Sequence, residues 1–264
     1  MSQEFPVTIS VIMPCYNAEA LVGPTIQSVI DQSLTDWELI IVDDCSTDAT
    51  RDVVNSYVQR DPRIRMLTLE ANTGAPARPR NIGIGAARGA WVALLDADDI
   101  WHPRKLEYQL GITEGLGAAL SSTAMMDFVG TPPLPGTPPE RPEVEKITFT
   151  KQKIKGRIPT SSVLVKKELL AKYPFNEDPR YKAVEDYHCW LRVHEAIDHS
   201  VKIKFPFLFY RRVEGQISGS KLYMLRRMYM LHREYPGGTA FGPVFFSLTH
   251  VLGGLYYRFF KKVL

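Results

Sequence analysis

Along the first hundred residues, short apolar runs alternate with stretches whose apolar positions recur at helical spacing. VTISVIM at 7–13 is rich in β-branched residues and suits a buried strand. Leu21, Ile26, Val29 and Ile30 fall on one face of a helix predicted over 18–32. WELIIV at 37–42 is a second strand. Ser46 or Thr47 is placed to cap the next helix, whose apolar face is Val53, Val54, Tyr57 and Val58. A third strand is predicted over 63–69, a Gly/Pro-rich loop leads to a helix near 80–88, and WVALL at 91–95 is the fourth strand. This alternation implies βαβ units and a mostly parallel sheet.

The pattern changes after residue 129. The stretch 130–145 is too proline-dense for a helix or an inner strand and reads as a surface loop. A strand is expected at 161–165, and a helix over 184–196 with Trp190, Leu191 and Val193 turned inward. The strand at 201–210 contains Pro206, which predicts an edge position. Two helical stretches, 219–234 and 243–263, close the chain, and no internal repeat is visible.

Composition adds limits rather than an activity. With 264 residues, 45% apolar and 23% charged, the chain suits one large α/β domain or a domain with an appended piece. Three scattered cysteines form no C-x-x-C and no even framework, which points to a reducing, cytoplasmic setting and away from zinc. The N-terminus shows no signal-peptide pattern, and no run of about 20 apolar residues suggests a membrane span. Net charge is +3, yet residues 1–140 carry 9 basic against 18 acidic side chains while 141–264 carry 23 against 11. An acidic front and a basic back suggest two different jobs.

Parallel α/β sheets bind ligands at the carboxyl ends of their strands. Here those ends read PCYN (14–17), DDCSTD (43–48) and DADD (96–99), three polar clusters on one sheet edge. On an extended segment Asp96 and Asp98, two apart, would share one side and offer hard oxygen ligands to Mg²⁺ or Mn²⁺. A lone D-x-D also fits a solvated turn.

The clusters do not stand alone. ISVIMPCYNAEALVGPTIQSVIDQ (9–32), VDDCSTDAT, ARPRNIGIGAARG, LLDADDIWHP and VEDYHCWLR follow one another in the order seen in the family 2 glycosyltransferases, which this chain resembles over roughly 7–215. The resemblance implies a GT-A fold with a Rossmann-like sheet, a nucleotide-sugar donor (a UDP-sugar by family frequency), inversion at the anomeric centre and a Mn²⁺ or Mg²⁺ cofactor. It places Pro14 and Tyr16 against the base and Asp44 on the uracil or ribose. Arg80 lies near base and diphosphate, Asp96 near the ribose, Asp98 on the metal, and Asp186 is the catalytic base. Glu185 beside it is expected on the acceptor side and raises its pKa. Asp186 also suits a helix N-cap. Ser161 and Ser162 either bond acceptor hydroxyls or face water at a strand edge. Arg211 or Arg212 contacts the diphosphate, or is solvated surface. Pro76 and Pro79 depart from the family's usual small residues.

Three rival readings are weaker. Gly83, Gly85 and Gly89 imitate a dinucleotide fingerprint, but the run follows a proline-rich loop rather than the first strand, with Arg88 at the third glycine's place. A nucleotidyltransferase needs a basic, glycine-rich loop after strand one, and PCYNAEA has no base. A non-catalytic binding protein of the same fold would not need both Asp98 and Asp186. The expected organisation is a catalytic domain at 1–215, with a nucleotide-sugar half at 1–128 and an acceptor half at 146–215. A basic, aromatic helical extension follows at 216–264. The expected acceptor is a cell-surface glycan or lipid-linked sugar; nucleic acid is not an expected partner. Residues 241–257 carry no Lys, Arg or acid and precede RFFKK, which suits a helix lying on an anionic membrane at its inner face. The alternative is packing on the domain or a homodimer contact.

Overall fold

The computed structural model describes residues 7–156, 158–213, 221–235 and 242–256. Strand β1 (Ile9–Cys15), helix α1 (Val22–Ile30), β2 (Trp37–Asp43), α2 (Thr50–Val58), β3 (Ile64–Thr68), α3 (Ala77–Ala86) and β4 (Trp91–Leu94) realise the expected alternation. Then come β5 (Ile100–Trp101), α4 (Lys105–Gly115), β6 (Leu120–Phe128), β7 (Val144–Ile147), α5 (Phe149–Ile154), β8 (Leu164–Lys166), α6 (Lys167–Lys172), α7 (Glu185–Ala196), β9 (Ser200–Arg211), α8 (Lys221–Glu234) and α9 (Gly242–Tyr256).

Among the described residues these strands form one sheet, ordered β3-β2-β1-β4-β8-β6-β9-β5, with β7 also on β9. β3, β2, β1 and β4 run parallel, while β8 is antiparallel to both β4 and β6. β1 and β2 are buried along their whole length because helices cover both faces, hence their unbroken apolar runs. One face packs Val11, Met13 and Leu39 against Val22, Ile26, Val29 and Val54; the other packs Ile12, Ile40 and Val92 against Ile84, Leu170 and Trp190.

Three local expectations change. Helix α2 starts at Thr50, not beside Ser46 or Thr47, because Asp48 Oδ1 takes the Thr50 N–H (3.0 Å) and leaves Ser46 to bind another loop. The strand expected at 161–165 begins instead as a 3₁₀ turn over Thr160–Ser162. Pro206 does not mark an edge. β9 has β6 on one side and both β7 and β5 on the other. Pro206 sits between the β7 ladder, which ends at Ile203, and the β5 ladder, which starts at Leu208, and the β6 register shifts there. Its missing N–H therefore costs no regular ladder bond.

Helix α8 docks on α7 through Met228, Leu231 and Tyr235 against Val184, Tyr187 and Leu191. Packing on the domain, the alternative reading for this extension, holds for α8. The RFFKK segment after residue 256 lies outside the described residues. Among the described residues no helix is long and apolar enough to cross a membrane.

Gly89, from the run that imitated a nucleotide fingerprint, turns the chain from α3 into β4 against the backbone of β1. A Cβ there would lie 2.8 Å from Ser10 N and 2.9 Å from Thr8 O. Backbone cannot swing aside as a side-chain end can. Gly89→Ala should lower the free energy of unfolding by about 1–3 kcal/mol, the usual cost of overpacking, measured by urea denaturation. An unchanged midpoint would show that the turn is loose.

Candidate active site

The loops after β1 and β2 are clipped together. Asn17 N donates to Ser46 Oγ (3.0 Å), Thr47 N to Asn17 Oδ1 (2.9 Å), and Ala18 N to Thr50 Oγ1 (2.7 Å). Asn17 and Cys45 take positive φ of 46° and 63°, a left-handed turn that non-glycine residues adopt only when surroundings impose it. The clip leaves Tyr16 half-exposed beside it while Pro14 is buried within β1. Asp44 is buried and holds the next loop: its two oxygens accept from Thr73 N and Thr73 Oγ1, each at 2.9 Å. Asp43 beneath it takes Ser46 N and Arg51 Nε (2.6 Å).

The three carboxylates of DADD meet three different fates. Residues 96–99 form a turn, with Asp99 N bonded to Asp96 O (3.2 Å), so Asp96 and Asp98 do not share one side of an extended segment as expected. Asp96 pairs with Arg80 Nη2 at 2.6 Å. Asp99 is fully buried and accepts Arg211 N (3.0 Å); burial first, then the charges of Asp98 and Asp96, push its pKa well up toward the neutral acid. Asp98 is half-buried within the turn.

Arg80 reaches this turn because α3 starts early. Pro76 caps the helix and Pro79 sits in its first turn, where a missing N–H removes no helical bond. The two prolines thus define the helix start, and Arg80 N closes the first bond onto Pro76 O (3.0 Å). The Arg80 side chain is 5% exposed and lies over Phe175; its second nitrogen, Nη1, pairs with Glu185 Oε1 at 3.4 Å.

Glu185 and Asp186 open α7 after the N-cap Val184, which follows Ala183, held at φ 73°. Asp186 is not the N-cap. Its Oδ1 takes Tyr187 N (2.6 Å) and its Oδ2 takes Thr160 Oγ1 (2.9 Å). Burial raises its pKa, against the opposing pull of Arg80 and these two hydrogen bonds. Burial and then the Asp186 charge push Glu185 up to about 7, with Arg80 pulling the other way. Glu185, expected to face an acceptor, is instead buried against Arg80.

Other expected contacts are rearranged. Ser161 and Ser162 are buried, neither reaching for an acceptor nor facing water: Ser161 Oγ accepts Asp96 N (3.1 Å), and Ser162 Oγ accepts Thr123 N (3.2 Å) and donates to Pro159 O (2.7 Å). Arg211 is a buried clamp rather than an anion contact, its Nε on Asp98 O (2.8 Å) and its Nη1 on Gly130 O (3.0 Å). Arg212 pairs with Asp127 at 2.7 Å on the surface. Thr160, Thr73 and Asp99, to which the motifs assign no role, also touch the cluster, on Asp186, Asp44 and Arg211 N respectively. Thr160 precedes Ser161 by one position, but nothing local in the sequence says that it meets Asp186.

Among the described residues no group of three or more His, Cys, Asp or Glu can cage a metal. The donor set is one half-buried carboxylate, Asp98, beside Asp96, which already serves Arg80. That fits a hard cation of the Mg²⁺ or Mn²⁺ type, which takes one or two carboxylates and completes its shell with phosphate and water.

Residues 10–172 match the model of the family described as glycosyl transferase family 2. TuaG of Bacillus subtilis, named for glycosyl transfer in teichuronic acid biosynthesis, is 33% identical over 86% of this chain and 87% of its own. WfgD of Escherichia coli, named a UDP-Glc:alpha-D-GlcNAc-diphosphoundecaprenol beta-1,3-glucosyltransferase, is 32% identical over 94% and 93%. The crystal structure of Staphylococcus aureus TarS 1–349 with UDP-GlcNAc superposes with a TM-score of 0.73 at 19% identity, covering 97% of this chain and 74% of TarS 1–349. A Pyrobaculum calidifontis mannosyltransferase in complex with GDP-Man and Mn²⁺ superposes at 0.64 and 17% identity, covering 98% of this chain and 74% of the other. These likenesses show the GT-A fold.

The Glu185 shift has a stability consequence. Its folded pKa, about 7, exceeds the ordinary 4.5, so the folded state holds a proton that the unfolded chain has lost between those values. Stability should therefore fall as pH rises from 4.5 to about 7. Glu185→Gln should flatten this part of the profile, read as thermal midpoints across the range. Parallel profiles for both proteins would mean that Glu185 does not hold the proton.

Proposed function

The chain belongs to glycosyl transferase family 2 and is a glycosyltransferase, and we propose that it moves a sugar from a nucleoside-diphosphate sugar to a hydroxyl of a glycan or lipid-linked acceptor, with inversion. The observation that carries this reading is the single guanidinium of Arg80, which joins the donor-side carboxylate Asp96 to the Glu185–Asp186 pair. One cluster thus holds a site for the leaving group beside a poised base. A UDP-sugar is favoured as donor by the TarS complexes with UDP and UDP-GlcNAc. The WfgD name favours a lipid-linked acceptor in cell-surface polysaccharide synthesis. We assign the chemistry to residues 1–215 and a peripheral, cytoplasmic-face role to 216–264.

In this mechanism Tyr16 and Asp44 border the nucleotide, with Asp44 fixing the loop at Thr73. Asp186 takes the proton of the attacking hydroxyl. Thr160 and Tyr187 N hold its carboxylate in one orientation, and its raised pKa makes it a stronger base than a solvated aspartate. Inversion requires this base on the face of the sugar opposite the diphosphate. A divalent ion held at Asp98 would offset the charge that develops on the diphosphate as the glycosidic bond breaks. Arg80 keeps Asp96 and Glu185 from adding to that charge.

Asp186→Asn should lower the transfer rate by roughly 10²–10⁴ while nucleotide affinity, read by calorimetry, stays near wild type. A collapse of donor affinity with unchanged chemistry would make Asp186 a binding residue. Asp98→Asn should abolish both Mn²⁺-dependent transfer and the tightening of UDP binding by Mn²⁺. Full activity in excess EDTA would refute a metal at this turn.

A further inference from the structure

Helix α8 has two opposed faces. Met224, Met228, Leu231 and Tyr235 point to the protein, where they meet α7 and Phe149. Leu222, Arg226, Tyr229 and Arg233, spaced 4, 3 and 4 residues apart, form one exposed stripe on the other side. Arg226 and Arg233 make no ion pair or hydrogen bond with any described residue. The helix's one acid, Glu234, lies off the stripe and is committed to Arg180 and Tyr181. Arg227, also off the stripe, donates to Arg180 O. The neighbouring α9 contains no charged Lys, Arg, Asp or Glu and leaves Val244, Phe245 and Leu248 exposed.

Alternating aromatic or aliphatic residues and unpaired arginines are what a helix needs to lie at a lipid headgroup layer. The apolar groups enter the acyl boundary and the guanidinium groups meet phosphates. We propose that the outer stripe of α8, Leu222–Arg226–Tyr229–Arg233, is a docking face for an anionic phospholipid surface. Charge complementarity selects that partner: the stripe carries two cations and no acid, so a neutral bilayer would gain only the apolar part.

The face is also tied to the base. Tyr187, next to Asp186, donates to Lys153 O (2.9 Å) and packs in the same cluster as α8. Thr249 of α9 donates to Ile154 O (2.6 Å), on the segment that leads to Thr160. The α8–α9 pair therefore backs both elements that grip Asp186, so docking holds the acceptor-side wall against the surface in which a lipid-linked acceptor sits. The docking itself does not depend on which sugar is moved.

The test is co-sedimentation of the full chain with phosphatidylglycerol/phosphatidylcholine vesicles and with phosphatidylcholine alone. Binding to the anionic vesicles should exceed that to neutral ones and fall at about 0.5 M salt, within which the Debye length drops to a few ångströms. Arg226→Glu with Arg233→Glu should weaken it by roughly tenfold or more. Arg226→Gln with Arg233→Gln, a milder change, should give a smaller loss. Both pairs should retain the wild-type thermal midpoint and nucleotide affinity, which report the fold and the active site separately from the docking face. Equal binding to both vesicle types, no binding at low salt, or wild-type binding by the charge-reversed variant would overturn the proposal. Self-association that the same variant abolishes, without vesicle binding, would assign the face to a second copy of the chain instead.

Discussion

The site depends on how one buried cation is shared. Arg80 is almost fully withdrawn from water, and a bare guanidinium in that position would be costly. It is stable there because Asp96, 16 residues downstream, and Glu185, 105 residues downstream, both approach it, and each carboxylate is in turn tolerable because Arg80 is present. Removing one member of such a buried pair leaves an uncompensated charge, worth about 3–5 kcal/mol. The arrangement thus locks α3, the acidic turn and the start of α7 to one another.

The crowding of Asp96, Asp98 and Asp99 is resolved by giving each a different environment. The first is paired with Arg80, and burial drives the third toward neutrality. The middle one stays half-buried at the turn. Three identical side chains in four positions therefore have three chemistries, set by burial and neighbours rather than by residue type.

Much of this architecture was legible in the sequence, since the alternation of buried runs and helical stripes is local. The starts of β2 and β4, the helix carrying Trp190, and the strand ends that bear polar clusters all follow from patterns within a few residues, while β1 begins two residues later than its apolar run suggests. Motif order also brought Arg80, Asp96 and Asp186 to one place. What was hidden depends on partners far along the chain. Glu185 turns to Arg80 across 105 residues, and Ser161 turns to Asp96 across 65. Pro206 reads as an edge marker until two separate ladders are seen to leave a gap for it. Arg211 looks like a free anion contact until the carbonyls of Asp98 and Gly130 are found around it.

The Arg211 clamp carries a consequence for biosynthesis. It ties the acidic turn to the last residue of β9, 112 positions downstream of Asp99. Long-range closures of this kind raise contact order and form late. A nascent chain can pair β1, β2, β3 and β4 as soon as they emerge. Its Asp96–Asp99 turn, however, stays unclamped until residue 211 has left the ribosome. Early-terminated chains would then carry a Rossmann-like core with an unfinished acidic corner.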